Sequence, residues 1–414
     1  MLKSTLQSIP TPVRCTLCDE VRRIFLPSLL ISCIITSSQR EGALHLKLAI
    51  CVSWLNQYGG AEKVLEAAHG LFPDAPIYTT IYWPQAMPAA YRVWDIRVSA
   101  LNRLPFIRRH HQPFLPLYPL AVESFDLSAY DVVLSITSAF AHGIITPPET
   151  LHICYCLTPA RFLWNYQSYA QREGLGRLVD IALRPTLNYL RLWDRLAADR
   201  VDHFIAISGE VQRRIRKYYR RGSTIIYPPV ETARFHPADG YDDYFLVVSR
   251  LIPYKRIDLA VLAFNELGLP LKIVGEGRDR AALQSLARPN IEFVGWVDDE
   301  ALQGLLSRTR AFIFPGLEDF GIAPLEAMAA GRPVIAYAGG GALDTVQPGV
   351  TGEFFTELTP ESLAGVVREF DPTRYDPATI RRHAEQFDRA VFQQKLGQFV
   401  EERFTAHRAV FEKC

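Results

Sequence analysis

Residues 311–326 read AFIFPGLEDFGIAPLE, and this stretch contains in order a strand, a loop and the start of a helix. The run from Ala311 to Pro315 is hydrophobic throughout, which is typical of a strand buried on both faces of a parallel sheet. Pro324 suits the first turn of a helix, where a backbone N–H has no helical partner. We therefore predict that Glu318 lies in the loop after the strand and that Glu326 lies in the first turn of the helix.

The same order of hydrophobic run and amphipathic stretch recurs along the chain from residue 46 onward. This alternation predicts a doubly wound α/β fold, in which ligands bind at the carboxyl ends of parallel strands. The predicted strands are Leu46–Ser53, Asp131–Thr137, Leu151–Cys156, Val201–Ile207, Tyr244–Ser249, Leu271–Gly275, Ile291–Val294, Ala311–Pro315 and Pro333–Tyr337.

A length of 414 residues suits two domains better than one. The strand series breaks between Tyr227 and Tyr241, where proline, glycine and acidic residues predict an inter-domain linker. We predict an N-terminal domain over residues 46–228 and a C-terminal domain over residues 241–388. A helical pattern in residues 389–414 predicts a segment that packs back on the N-terminal domain.

Composition excludes some classes of protein. A formal net charge of +1 gives no support to a nucleic-acid-binding protein, which would usually carry a strong basic excess. Seven cysteines without a regular spacing predict reduced thiols rather than a disulfide framework. Cys15 and Cys18 have no second pair at zinc-binding spacing, so we expect no metal site.

Residues 1–45 differ in character from the rest of the chain. Arg22 and Arg23 precede an apolar run, Ile24 to Thr36, which is shorter than the roughly 20 residues needed to span a bilayer. We favour an N-terminal extension that is poorly ordered and arises from an upstream start codon. A weak membrane anchor is the alternative interpretation.

Two loops that follow predicted strands carry residues suited to phosphate. Gly60 ends the loop after the first strand, and the helix that starts near Ala61 would point free N–H groups at an anion. Arg250 and Lys255 follow the strand Tyr244–Ser249 and could both reach one diphosphate. The alternative at Gly60 is a tight structural turn. The alternative for the basic residues after Ser249 is a solvated turn, and this interpretation suits Arg256 best.

The acidic motif from Glu318 to Glu326 is the most specific signal in the sequence. Carboxylates accept hydrogen bonds from vicinal hydroxyls, so one could hold a ribose and the other a hexose, with backbone N–H groups of Phe320 and Gly321 assisting. Interaction with the helix dipole explains Glu326 alone, but it does not explain the whole motif. The chain has no dinucleotide-binding glycine pattern, no Asp-x-Asp, no Walker loop and no Gly-x-Ser-x-Gly elbow.

From about residue 47 to residue 370 the sequence resembles the family-four GT-B glycosyltransferases, which have two Rossmann-like domains facing across a cleft. The Glu, seven residues, Glu pattern carries the family resemblance. Further stretches resemble the bacterial O-antigen and exopolysaccharide mannosyltransferases: Tyr58–Glu62, Leu71–Ala75, Leu151–Cys156, Pro253–Asp258 and Glu318–Gly321.

The resemblance implies a retaining transfer of a hexose from a nucleotide-diphosphate sugar without a metal or other cofactor. Arg250 and Lys255 would stabilise the diphosphate as the sugar departs, and Glu326 would bind the ribose. Glu318, with the N–H groups of Phe320 and Gly321, would contact the sugar.

Gly60 would let the loop of the N-terminal domain close on the phosphates. The donor implied is GDP-mannose, and the acceptor is a lipid-linked or polysaccharide precursor. Such chemistry relies on charge stabilisation and positioning more than on a dedicated base.

One position departs from the family pattern. Where family members usually have a histidine after the Cys-Tyr-Cys strand, this chain has Leu157, which can neither hydrogen-bond a sugar nor move a proton. A catalytically weak or silent GT-B scaffold is therefore the alternative function. His142 and His152 are not at the matching position, so we assign neither a role. A third alternative, a sugar-nucleotide epimerase on the same fold, is disfavoured because the acidic motif belongs to the transferases.

Two basic stretches with aromatic residues, Arg103–Phe114 and Arg213–Arg221, predict contact with the acceptor or with an anionic membrane. Solvated helix faces are the alternative. We expect a cytoplasmic protein, peripheral on the inner face of the cell membrane.

Overall fold

The computed structural model of the protein describes residues 46–166 and 177–411. The cysteine pair at Cys15 and Cys18, the apolar run Ile24 to Thr36 and the predicted N-terminal extension lie outside these ranges. Cys51, Cys154 and Cys156 are the free thiols of the described part, and all three are buried.

The first sheet contains seven parallel strands in the order β3-β2-β1-β4-β5-β6-β7. Its centre is formed by hydrophobic runs whose residues are all buried, as the pattern predicts for strands covered on both faces. The strands are β1 Leu48–Val52, β2 Ile77–Thr79, β3 Ile96–Val98, β4 Val132–Thr137, β5 Leu151–Cys156, β6 His203–Ala206 and β7 Ser223–Ile225.

The second sheet contains six parallel strands in the order β10-β9-β8-β11-β12-β13. Relative to its own first strand, this is the order 3-2-1-4-5-6 of the Rossmann fold. The strands are β8 Phe245–Val248, β9 Leu271–Val274, β10 Ile291–Gly295, β11 Phe312–Phe314, β12 Val334–Tyr337 and β13 Gly352–Phe355. The predicted fold class, α/β with two Rossmann-like domains, is confirmed.

Helices connect the parallel strands and cover the sheets. The α-helices of the described part are α1 Gly60–Leu71, α2 Tyr118–Glu123, α3 Arg161–Trp164, α4 Arg177–Ala197, α5 Gly209–Arg214, α6 Ile257–Leu267, α7 Arg280–Leu286, α8 Asp299–Arg308, α9 Ile322–Ala329, α10 Ala342–Thr345, α11 Pro360–Glu369, α12 Pro377–Ala384 and α13 Arg389–Phe411. None of these described helices is both long enough and apolar enough to cross a membrane.

Two crossings of the backbone join the sheets. Val230, which follows β7, forms backbone hydrogen bonds with residues just before and at the start of α13. It accepts one from Arg389 at 3.0 Å and donates one to Phe387 at 2.9 Å. Helix α13 then lies against the first domain, where Gln393 Nε2 donates to the carbonyl oxygen of Ala67 at 2.9 Å. Phe392 packs edge-on against Tyr155.

Candidate functional site

The candidate residues follow strands that flank a change of strand order. In each sheet the order reverses once, between β1 and β4 in the first and between β8 and β11 in the second. Open α/β sheets bind ligands outside the carboxyl ends of the strands at such a point, because the loops there diverge and leave a crevice. Gly60 follows β1, Arg250 follows β8 and Glu318 follows β11. All three therefore lie where the topology places a ligand.

Lys255 and Glu318 form an ion pair in the second domain. Lys255 ends a short 3₁₀ turn, Pro253–Lys255, and Glu318 lies in the loop between β11 and α9. Their side chains are 16% and 15% exposed, so the pair is largely shielded from water. The ammonium and carboxylate neutralise each other, and a diphosphate could compete with Glu318 for the lysine.

Arg250 lies on the same side of the sheet but is exposed. No carboxylate lies within ion-pair distance of its guanidinium in the described part of the chain. Arg256 differs because its side chain pairs with Asp258 at 3.0 Å. Of the two neighbouring arginines, Arg250 is therefore the one whose planar donor groups are available to an anion.

Gly321 fixes the start of helix α9. It has φ 98°, a conformation that residues with a Cβ rarely adopt, and an added Cβ would lie 2.7 Å from Cζ of Phe314. The helix begins at Ile322, so Pro324 is in the first turn as predicted. The prediction that Glu326 lies in that turn is wrong, because Glu326 is the fifth helical residue and begins the second turn.

Glu326 contacts the first domain across the cleft. Lys63, on α1 of the first domain, lies with its Nζ 2.8 Å from Oε1 of Glu326. The glutamate side chain is 9% exposed and the lysine 30%. A ribose that binds Glu326 would have to displace this ammonium or share the carboxylate with it. Sequence reasoning missed Lys63, because no local pattern distinguishes it from other exposed lysines on an amphipathic helix.

Phe320 is held in place by its ring and leaves its backbone N–H available. The ring is buried, and it stacks on Tyr227 with centroids 5.8 Å apart. Within residues 46–166 and 177–411, the N–H groups of Phe320 and Gly321 make no hydrogen bond. Two adjacent donors therefore remain next to Glu318.

Gly60, at the start of α1, faces the start of α9 across the cleft. An added Cβ would lie 3.3 Å from Cδ1 of Ile322, at the start of α9. A Cβ here would require the side chain of Ile322 to shift by a few tenths of an ångström, so glycine fits this contact more easily than a larger residue. Its contact with phosphate stays a prediction.

Asp319 is a second inter-domain contact that the sequence did not reveal. Its carboxylate pairs with Arg214 and lies 3.6 Å from Nε of Arg161, both in the first domain. Its carbonyl oxygen accepts a hydrogen bond from Ser208 Oγ at 2.5 Å. The guanidinium of Arg161 also lies over the ring of Tyr254, 5.0 Å from its centroid. These contacts tie the acidic motif to the first domain.

Leu157 and Glu62 line the same small cavity, about 30 Å³ in volume, in the first domain. Glu62 follows the Gly59-Gly60 turn and is 6% exposed. Burial raises the pKa of its carboxyl to about 7, although backbone hydrogen bonds and Arg250 oppose the rise. The cavity thus pairs an apolar residue, Leu157, with a carboxyl that titrates near neutrality. Sequence reasoning quoted Glu62 only as part of a motif.

His142 and His152 lie inside the first domain and face its own residues. His142 Nε2 is 3.4 Å from Oδ1 of the buried Asp194, and His152 Nε2 is 2.8 Å from Ser135 Oγ. Burial lowers the pKa of His152 to about 3, so this imidazole is neutral at physiological pH. These contacts are those of structural histidines. In the described ranges no group of three or more His, Cys, Asp or Glu side chains could hold a metal ion.

A two-domain protein with this topology and a cleft lined by basic and acidic side chains has the GT-B fold. Residues 231–382, which contain Arg250, Lys255 and the acidic motif, match the model of a family described as glycosyl transferases group 1. The match covers 152 of the 414 residues and lies mostly in the second domain.

The curated relatives include transferases with different sugars in their names. The glycogen synthase of Mycobacterium tuberculosis is 31% identical over 202 residues, which are 44% of this chain and 48% of the relative. A GDP-mannose-dependent alpha-mannosyltransferase of Mycolicibacterium smegmatis is 43% identical over 107 residues, covering 25% of this chain and 28% of the relative. The chain spans about half the length, or less, of these relatives.

Among solved structures, the sucrose-phosphate synthase of Thermosynechococcus elongatus superposes with a TM-score of 0.66 at 18% identity. The superposition covers 87% of this chain and all of that one. At this identity the likeness establishes the fold and not the substrate.

Proposed function

We propose that the protein is a retaining glycosyltransferase that moves a hexose from a nucleotide-diphosphate sugar to an acceptor bound on the first domain. The observation that carries this proposal is the convergence of Arg250, Lys255, Glu318 and Glu326 after β8 and β11, opposite α1. Two cations and two carboxylates in one cleft match the diphosphate and the two hydroxyl-bearing rings of such a donor.

Each side chain then has a role that its position supports. Arg250 is unpaired and Lys255 is shielded, so both can hold the diphosphate and stabilise the charge that develops as the sugar leaves. Glu326 binds the ribose after Lys63 is displaced. Glu318 and the two free N–H groups beside it orient the hexose. No metal or other cofactor is required.

Mannose from GDP-mannose is the favoured donor, because several of the curated relatives are named as GDP-mannose-dependent mannosyltransferases. The acceptor is a lipid-linked or polysaccharide precursor. Titration of GDP, UDP and ADP by calorimetry tests the donor site. We expect GDP to bind most tightly and Glu326→Ala to weaken it, whereas equal affinities in the two proteins would remove Glu326 from the ribose site.

Leu157 supports a second candidate, a scaffold that binds the nucleotide sugar or a partner transferase without turnover. The side chain cannot replace the family's histidine, although it shares a cavity with Glu62. The two candidates differ in one readout. An enzyme converts the donor and yields an α-linked product from an α-linked donor, as the anomeric proton in an NMR spectrum would report. A scaffold binds the same nucleotide and leaves the donor intact.

We also propose a peripheral location on the inner face of the cell membrane. The support is the stretch from Arg213 to Arg221, where Arg216, Lys217 and Arg220 are exposed and form no ion pair with the described residues. Each basic side chain near an anionic leaflet contributes about 1 kcal/mol. Flotation of the full chain with vesicles of phosphatidylcholine and phosphatidylglycerol at low salt tests this, and recovery of the protein only in the bottom fraction would contradict it.

A further inference from the structure

A pocket of about 410 Å³ in the first domain has no part in the donor site. Arg103, Arg108 and Arg109 line it together with Trp83, Leu104 and Phe106, and we call it the arginine pocket. Its volume falls within the roughly 300–1,000 Å³ of small-molecule sites. No carboxylate lines it, and no ion pair is formed by the three arginines in the described part of the chain. Three unneutralised guanidinium groups around one cavity suit an anion with several oxygen atoms.

The pocket opens at the same edge of the sheet as the cleft. Trp83 follows β2 and donates its backbone N–H to the carbonyl oxygen of Leu55, just after β1, at 2.8 Å. Asn56 Nδ2 donates to the carbonyl oxygen of Arg108 at 3.0 Å. Asn56 begins the loop that leads to Gly60, so the arginine pocket adjoins the phosphate-side loop of the donor cleft. A molecule held there lies on the acceptor side of the cleft.

Phe106 gives the pocket an apolar rim at a cost in backbone strain. Its side chain is 81% exposed, and its φ of 61° is uncommon for a bulky residue with a Cβ. The adjacent Ile107 is fully buried and anchors the loop, while Leu104 lies partly exposed beside it. Strained residues persist where the surrounding structure enforces them, and they cluster at binding sites. An exposed phenylalanine beside three arginines suits a ligand that has both an anionic head and an apolar part.

We propose that the arginine pocket binds the phosphate or diphosphate group of the glycosyl acceptor, whose apolar chain lies along Leu104 and Phe106. This inference rests on the proposed function and assigns the acceptor to the phosphate-bearing lipids. The guanidinium of Arg109 lies over the ring of Trp83, 5.5 Å from its centroid, which restricts the position of this arginine in the pocket. The arginines supply charged hydrogen bonds, and the aromatic and aliphatic side chains supply apolar contact.

Calorimetric titration of the full chain with farnesyl diphosphate, a short isoprenoid diphosphate, tests the pocket. The triple variant Arg103→Gln/Arg108→Gln/Arg109→Gln should bind it at least about 100-fold more weakly, since each lost charged hydrogen bond costs about tenfold or more. A matched control removes three other exposed cations of the first domain, which lie outside both basic stretches: Lys47→Gln/Arg92→Gln/Arg184→Gln. The control should bind like the wild type. Equal affinity in all three proteins would overturn the proposal.

Two further ligands distinguish a lipid diphosphate from free diphosphate and from a membrane surface. Inorganic diphosphate should bind much more weakly than farnesyl diphosphate, and equal binding would overturn the assignment to an amphiphile. Vesicles of phosphatidylcholine with phosphatidylglycerol should not displace farnesyl diphosphate. Arginine-dependent binding of such vesicles without any binding of farnesyl diphosphate would identify a membrane surface and overturn the acceptor site.

Phe106→Gly gives a readout that a purely structural role would not produce. Glycine tolerates a positive φ, so the variant should be more stable than the wild type in denaturant unfolding while binding farnesyl diphosphate more weakly. Unchanged binding would remove Phe106 from the site. Slow hydrolysis of the donor in the absence of acceptor separates the two proposals. Absence of this hydrolysis in the wild type would refute the proposed function. If the triple variant still hydrolyses the donor but its binding of farnesyl diphosphate is unchanged, only the proposal for the arginine pocket is refuted.

Discussion

Replacement of Glu62 by glutamine should remove a pH dependence of folding stability that this one carboxyl creates. Burial raises the pKa of Glu62 from an ordinary 4.5 to about 7. The folded protein therefore holds this proton more tightly than the unfolded chain does, and the free energy of unfolding falls as pH rises from about 4.5 to about 7. Above pH 8 both states are ionised and the loss is complete. Glutamine stays neutral throughout and avoids the loss.

The magnitude follows from the two pKa values. A difference from 4.5 to about 7 corresponds to about 3 kcal/mol, at about 1.4 kcal/mol for each pH unit. The pKa of about 7 already includes the opposing effects of Arg250 and of the backbone hydrogen bonds to Glu62. Denaturant unfolding of the wild type and Glu62→Gln at pH 5 and pH 8 measures the effect. The variant should gain up to about 3 kcal/mol relative to the wild type between the two conditions.

The control for this experiment is Glu369→Gln, because Glu369 is exposed and its charge stays in water. Its stability relative to the wild type should be the same at both pH values. If Glu62→Gln also shows the same difference at pH 5 and pH 8, Glu62 does not titrate in this range and the cavity beside Leu157 is not the environment described here.

Four further substitutions address the cleft. Lys255→Ala should lower the transfer rate by about 10²–10³ while nucleotide affinity changes little, measured by initial rates at saturating donor. Glu326→Ala should weaken GDP binding about tenfold in calorimetry, through loss of hydrogen bonds between a charged group and the ribose. Lys63→Met should strengthen GDP binding by about fivefold at most, because a pair with a partly exposed lysine contributes about 1 kcal/mol or less; weaker binding would mean that Lys63 itself contacts the nucleotide. Leu157→His should raise the transfer rate at unchanged GDP affinity. An unchanged transfer rate would indicate that a histidine at this position does not contribute to catalysis in this protein.

Strongly patterned segments made the fold predictable from the sequence. Strands β4 and β5 are six-residue runs buried along their whole length, so both were predicted within one residue at each end. The missed strands β2, β3, β7 and β13 have only three or four residues each, too few to show a period. Two of them lie at the edges of the first sheet, where one side has no partner strand and polar residues are tolerated.

The cleft was predictable only in part. Glu318, Lys255 and Arg250 follow strands, and topology alone brings the ends of β8 and β11 together. The contact between Lys63 and Glu326 joins residues 263 positions apart, and nothing local to either residue encodes it. The contacts of Arg161 and Arg214 with Asp319 could not be predicted from the sequence for the same reason. Charge pairs between domains depend on how two sheets face each other, which a single sequence does not express as a pattern.

Turnover of the donor tests the central claim most directly. GDP-, UDP- and ADP-hexoses should be incubated with the wild type, Lys255→Ala and Glu326→Ala, and the released nucleotide diphosphate measured without any acceptor. We predict slow hydrolysis of one donor class, with GDP-mannose the most active, and a loss of at least about tenfold in each variant. Hydrolysis at the same rate in all three proteins, or of none of the donors by a wild type that binds GDP, would contradict the assignment of this cleft as the site of sugar transfer.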